Sequence, residues 1–116
     1  MIIGDFDLAI NMANESVEYF EIVKDEKGIA DAKYTIAGAL YKRDDCHQGL
    51  NYLTDCLATY KKLGDHHNLS RVQKSMGTIY EYFGDTKSAK QIYKESVDSA
   101  KLAGDLNLHG ASDFRV

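Results

Sequence analysis

The stretch GDHHNLSRVQKSMGTIYEYFGD, residues 64–85, decides the fold of this chain. Between its two Gly-Asp pairs the large apolar residues step by three and four positions, which is the spacing of one face of an α-helix. They are Leu69, Val72, Met76, Ile79, Tyr80 and Phe83. Glycine commonly ends a helix in the left-handed conformation, and aspartate is a preferred N-cap because its carboxylate accepts from the free N–H groups of the first turn. Gly-Asp is therefore expected to end one helix and begin the next.

The same aspartate recurs at a constant interval of 20 residues. Its positions are Asp5, Asp25, Asp45, Asp65, Asp85 and Asp105. The preceding residue is Gly4, Gly64, Gly84 or Gly104 in four cases, and Lys24 or Asp44 in the other two. The apolar spacing between these junctions predicts helices over about 6–23, 26–42, 46–63, 66–83 and 86–103. Such short turns make neighbouring helices antiparallel. Because no stretch alternates apolar and polar residues as a strand would, the sequence predicts an all-α protein.

Helices two steps apart along the chain match better than neighbours, so the predicted repeating unit is a helix–turn–helix of 40 residues. Small residues recur at this interval at Ala9, Gly49 and Ala89, at Ser16, Cys56 and Ser96, and at Ala37 and Gly77. Units of this kind cannot bury their apolar faces alone and therefore stack. The prediction is one domain over residues 1–116. It contains a half-unit at 4–23, units at 24–63 and 64–103, and a tail or truncated helix at 104–116.

The composition excludes several classes of function. The net charge of -4 gives no electrostatic reason to expect nucleic acid or an anionic membrane as a partner. No apolar run approaches the roughly 20 residues of a membrane span, and two cysteines are too few for a disulfide scaffold. We therefore expect a soluble, reduced, cytoplasmic protein.

The repeat resembles the tetratricopeptide repeat family over roughly 4–104. The family's small, large and glycine positions fall on Met76, Gly77, Tyr80, Gly84, Ala89, Tyr93 and Ser96 in the last full unit. In the unit before it they fall on Ile36, Ala37, Leu40, Asp44, Gly49, Leu53 and Cys56. The sequence departs from the family in three ways. Lys33 and Gln73 stand where the family has tryptophan, the closing proline is missing, and the unit of 40 residues is longer than the family's usual unit. The resemblance implies antiparallel helix pairs stacked as a right-handed α-solenoid.

The same resemblance implies that the first helix of each unit lines a concave groove that binds a protein or peptide. The ligand-facing positions carry over to Asp31, Tyr34, Gly38, Tyr41 and Lys42 in one unit, and to Arg71, Lys74, Thr78, Glu81 and Tyr82 in the next. Arg71 and Lys74 share a helix face and, with Lys42, would meet a peptide carboxylate. The asparagines of the family's Hsp70/Hsp90 carboxylate clamp are absent here. A solvated face with tyrosines packed between repeats is the alternative interpretation.

Metal and catalytic sites are not predicted. Cys46 and His47 begin the predicted helix 46–63, and His66 and His67 follow its far end. The two pairs are therefore on the order of 25–30 Å apart, whereas zinc ligands all lie about 2 Å from the metal. The histidines, with His109, are expected in solvent, and Cys56 is expected to pack in the interior. No serine elbow or phosphate-binding loop is present, so neither an enzyme nor a cofactor is expected.

The sequence therefore predicts a protein–protein interaction scaffold. The alternative is a non-catalytic sensory or regulatory segment of a larger bacterial signalling protein, such as a kinase, a cyclase or a Rap-type regulator. The long units with Gly-Asp junctions also look like those of kinesin light chains and Pins-type spindle scaffolds. At the two ends, Leu8, Met12, Phe20 and Phe114 are expected to lack partners. Either the chain is an excerpt of a longer array, which we favour, or self-association covers an open end.

Overall fold

The computed structural model describes the backbone of residues 3–111 and the side chains of residues 6–104. Five α-helices occupy this part of the chain, and no strand occurs in it. They are α1 (Ile3–Val23), α2 (Glu26–Lys42), α3 (Cys46–Leu63), α4 (His66–Tyr82) and α5 (Thr86–Ala111). The prediction of an all-α protein is confirmed. Phe114 and the side chains of Asp5, Asp105 and His109 lie outside the described residues.

Four of the six predicted helix junctions occur, at residues 24–25, 44–45, 64–65 and 84–85, whereas the one predicted at Gly4 and Asp5 is wrong because both residues lie inside α1. Lys24, Asp44, Gly64 and Gly84 all have positive φ, from 59° to 80°. This left-handed conformation costs a residue with a Cβ roughly 1–2 kcal/mol and glycine almost nothing. Lys24 and Asp44 nevertheless adopt it, so the register of the repeat sets the turn even where glycine is missing.

Three of the junction aspartates cap the following helix as predicted. The bonds run from Gly28 N to Asp25, from Asn68 N to Asp65 and from Ser88 N to Asp85, at 2.9, 3.2 and 3.1 Å. The hydrogen bonds from Ser88 lower the pKa of Asp85. Asp45 differs, because its carboxylate accepts from Nε and Nη2 of Arg43 at 2.9 and 2.7 Å. The capping bond is thus one way, but not the only way, to begin a helix at this position.

The predicted helix end near residue 103 is wrong, because α5 continues through Gly104 to Ala111. A glycine inside a helix costs only about 1 kcal/mol relative to alanine, so the residue alone does not force an end. A Gly-Asp pair therefore allows a helix to end at that position but does not require it.

The chain divides into two compact units within α3, one up to Thr59 and the other from Tyr60. In the first unit, α1 packs on α2 around three buried residues, Ala13, Ile36 and Leu40. Ile10, Val17 and Tyr52 pack against them. In the same unit, α3 joins α2 through a hydrogen bond that Cys56 Sγ, in the second half of α3, donates to the carbonyl oxygen of Ala30 at 3.2 Å.

In the second unit, α4 packs on α5 through small and polar buried residues. Ser70 Oγ donates to the carbonyl oxygen of Ser96 at 3.0 Å, and Ser96 Oγ lies 3.3 Å from the carbonyl oxygen of Ser70. Ser99 Oγ lies 2.7 Å from Gln73 Oε1 and donates to it. Ser70–Ser96 has the same sequence separation of 26 as Ala30–Cys56. Each unit therefore builds its helix contact at equivalent places in the 40-residue register.

Candidate functional site

The face of α4 predicted to bind a partner is exposed along its length. Arg71, Lys74, Thr78, Glu81 and Tyr82 all lie on the surface, spaced by three and four residues except for the last pair. Tyr82 is 60% exposed, and its ring meets the Phe83 ring edge-on with 6.0 Å between the centroids. The structure thus brings the five side chains together on one side of α4, which we call the α4 face.

The α4 face includes a hydroxyl that sequence reasoning did not assign to it. Tyr93 of α5 donates from its hydroxyl to Glu81 Oε1 at 2.8 Å, and this tyrosine hydroxyl also lies 3.3 Å from Thr78 Oγ1. Its ring covers Gly77, where an added Cβ would lie 2.5 Å from Tyr93 Cε1. The missing side chain of Gly77 lets Tyr93 cross α4 and reach the face. Gly77 is the sequence signal for this close approach, although the 40-residue repeat by itself predicts only a contact between helices there.

The basic end of the α4 face lies toward the start of the helix. Arg71 Nη1 donates to Asn68 Oδ1 at 3.2 Å, which anchors the guanidinium over the first turns of α4. Lys74 is exposed one turn further on. Two cations three residues apart on a helix project to the same side, so a single carboxylate can contact both.

The corresponding residues of α2 form a second exposed row, which we call the α2 face. Asp31, Gly38, Tyr41 and Lys42 are exposed, and Tyr34 is half-buried. Asp31 Oδ2 accepts from Lys27 Nζ at 3.2 Å, one turn earlier on the same helix. The charge of the Asp31 carboxylate is therefore balanced by a neighbouring cation. Lys42 and the two tyrosines are the remaining side chains of the α2 face that could contact a ligand.

The first unit also contains an open cavity of about 720 Å³ between α1 and α2. Its lining combines small, apolar and acidic residues: Ala9, Met12, Ala13, Glu15, Ser16, Tyr19, Phe20, Asp31, Ala32 and Thr35. The expected exposure of Leu8 and Met12 is confirmed, at 58% and 60%. Phe20 differs from the prediction, because its ring lies against Gly28 at 2.6 Å from the place of an added Cβ. Sequence reasoning named the uncovered residues but not the cavity.

The cysteines and histidines do not form a metal site in the described part of the chain, where no three His, Cys, Asp or Glu side chains come close enough to hold an ion. Cys46 and Cys56 are free thiols and both are buried. His47 and His67 are exposed. His66 departs from the expectation of a solvated side chain, since its Nδ1 is buried and has no hydrogen-bond partner among the described residues.

Burial raises the pKa of the Cys56 thiol from 9.0 to about 12. The folded chain keeps this proton while the unfolded chain releases it above pH 9, so the stabilising contribution is complete below pH 9 and is lost as the pH rises toward 12. We expect Cys56→Ser to fold, because serine fills the equivalent place at Ser96, and to show a smaller fall in melting temperature between about pH 8 and pH 10.

Thermal unfolding of parent and variant over this pH range measures the difference directly. The two chains differ only at residue 56, so the contributions of all other groups cancel from this difference. Identical alkaline slopes for the two chains would mean that the Cys56 proton does not contribute to stability.

A family model described as tetratricopeptide repeat matches residues 28–101, which is more than half of the chain. The chain therefore belongs to the tetratricopeptide repeat family, as its predicted repeat indicated. Searches of curated proteins and of solved structures gave no significant match. Members of this family typically bind proteins or peptides and are generally non-catalytic. Among the described helices, none combines the length and apolar character that a membrane crossing requires.

Proposed function

We propose that the α4 face binds an acidic segment of a partner protein. The observation that carries this proposal is the arrangement of the α4 face, with Arg71 and Lys74 at one end and the exposed Tyr82 at the other. The cations supply charge-assisted hydrogen bonds to carboxylates. Tyrosine supplies contact area at a low entropic cost, because only two side-chain torsions are fixed on binding.

The middle of the α4 face supports the same proposal. Thr78, Glu81 and Tyr93 are linked by hydrogen bonds, so their polar atoms are held in place before a partner arrives. Fixed polar groups reduce the side-chain ordering that binding otherwise requires. Glu81 would repel an acidic segment laid along the whole helix, and we therefore place the acidic group of the ligand at the Arg71 end.

The α2 face is proposed as a second binding surface on its own helix. Tyr34 and Tyr41 flank the open backbone of Gly38, at which an added Cβ would meet no atom within 4 Å. Lys42 lies in the last turn. This surface has one exposed cation of its own and favours a ligand that is less acidic than the ligand of α4.

The test is the double variant Arg71→Glu, Lys74→Glu. Binding is measured by fluorescence anisotropy against a panel of labelled peptides that end in a free carboxylate and contain Asp or Glu. We expect the parent chain to bind members of the panel, and the double variant to bind them at least about fivefold more weakly, a loss of about 1 kcal/mol or more. The melting temperature should change little because both side chains are exposed.

The matched control is Lys90→Glu, Lys101→Glu, which makes the same change in net charge on exposed positions of α5. It should keep the affinity of the parent within about twofold, since neither residue belongs to the α4 face. Equal weakening in both double variants would show a response to net charge alone and would contradict the proposal. Unfolding of the Arg71, Lys74 variant would mean that these residues are structural.

A further inference from the structure

The charged residues of the α4 face are ordered along the helix. Arg71 and Lys74 lie toward the start of α4, and Glu81 lies toward its end. At 1.5 Å per residue, Glu81 is about 15 Å along the helix from Arg71 and about 10 Å from Lys74. The spacing of three, four and three residues, through Thr78, keeps these side chains on one stripe of the helix. The α4 face is therefore positive at one end and negative at the other.

The Glu81 carboxylate is held in place, but its charge is not neutralised. The donor that fixes it is the uncharged hydroxyl of Tyr93, at 2.8 Å from Oε1. Among residues 6–104, no lysine or arginine forms an ion pair with Glu81, whose side chain is exposed. On the α2 face, by contrast, Asp31 already accepts from Lys27. A cation of a ligand can therefore pair with Glu81 without displacing a cation of the chain.

Tyr82 adds an aromatic ring beside this carboxylate. It follows Glu81 directly in the sequence and is 60% exposed. Lysine and arginine have a long apolar stem and a charged head, and both parts can contact an aromatic ring. A basic side chain that pairs with Glu81 can therefore also pack against Tyr82.

We infer that the α4 face binds an extended segment that carries an acidic residue and, about four residues away, a lysine or arginine. This inference rests on the function proposed above, which places the acidic residue at Arg71 and Lys74. An extended chain advances about 3.3 Å per residue, so four residues span about 13 Å, between the distances of the two cations from Glu81. Residues four apart also lie on the same side of an extended chain, so both can face α4.

The probe is a fluorescein-labelled peptide with one Asp in an uncharged sequence of Gly, Ser and Tyr, amidated at its C-terminus. A lysine replaces its residues one at a time on either side of the Asp, and fluorescence anisotropy measures the affinity for the full chain. We expect a lysine about four residues from the Asp to tighten binding about threefold, the size of one exposed ion pair. A lysine next to the Asp should give no gain, because it would lie near Arg71 and Lys74.

Three variants assign this gain to Glu81. Glu81→Gln removes the charge but keeps an oxygen that accepts from Tyr93, and it should abolish the gain. Glu81→Lys should reverse the preference, so that glutamate in place of the peptide lysine binds more tightly than the lysine itself. Tyr93→Phe removes the hydrogen bond but keeps the charge, and it should retain more than half of the gain. The matched control Glu18→Gln, on the exposed surface of α1, should leave the gain unchanged.

Three outcomes would overturn the inference: no position of the lysine tightens binding, Glu81→Gln keeps the gain, or Tyr93→Phe loses it as completely as Glu81→Gln. In each of these cases, binding of the Asp peptide and its loss in Arg71→Glu, Lys74→Glu would still support the proposed function. A parent chain that binds no Asp peptide would contradict both proposals. Circular dichroism of each variant confirms that it is folded before its titration is interpreted.

Discussion

Gly77→Leu is expected to lower the free energy of unfolding by about 3 kcal/mol, the upper end of what an overpacked contact usually costs. A Cβ at this position would lie 2.5 Å from Cε1 and 2.8 Å from Cδ1 of Tyr93. The ring cannot easily move aside, because its hydroxyl donates to Glu81 and lies against Thr78. For a chain of this size the loss corresponds to a fall of about 10 °C in melting temperature, measured by circular dichroism.

Gly38→Leu is the matched control, since Gly38 also lies inside a helix but a Cβ there meets no atom within 4 Å. Replacing an exposed helical glycine improves helix propensity by up to about 1 kcal/mol, so this variant should melt at or above the temperature of the parent. If both variants lost the same stability, the cause would lie in the helix backbone and the close approach of Tyr93 would be irrelevant.

Leu40→Ala is expected to cost about 3 kcal/mol in the first unit. Leu40 is 2% exposed and packs with Ala13 and Ile36 where α1 meets α2. Removing its branched end takes away buried apolar surface and leaves a cavity that the neighbouring helices fill only in part. Thermal or urea unfolding measures the loss.

Leu8→Ala provides the comparison, because Leu8 lies on α1 but is 58% exposed. It should shift the free energy of unfolding by less than about 0.5 kcal/mol, as surface substitutions usually do. A comparable loss from the two variants would mean that the contact of α1 with α2 is not centred on Leu40.

The helix junctions could be predicted from the sequence because one physical requirement recurs at each of them. A tight turn between antiparallel helices needs a left-handed residue and then a cap, and the interval of 20 located this turn even at Lys24 and Asp44. The end of α5 could not be predicted in the same way. Gly104 permits a turn but does not force one, and here α5 continues through it to Ala111.

The helix faces were predictable from periodicity, whereas the contacts across them were not. Spacing by three and four residues places Arg71 and Lys74 on one side of α4, and both are exposed. The same spacing gives no information about Tyr93, which reaches Thr78 and Glu81 from another helix. The α1–α2 cavity could not be predicted for a related reason, since its lining comes from two helices and the spacing within each helix does not show how they pack.

The 40-residue register is tested most directly by comparing Ala89→Leu with Lys90→Leu. Ala89 is 1% exposed on α5, and its neighbour Lys90 is exposed. A leucine at Ala89 should lower the melting temperature by several degrees, because overpacking a helix contact costs roughly 1–3 kcal/mol. A leucine at Lys90 should leave the melting temperature within about 1–2 °C of the parent, as expected for an exposed site. Equal shifts for the two variants would contradict the register, and the assignment of the α2 and α4 faces would fail with it.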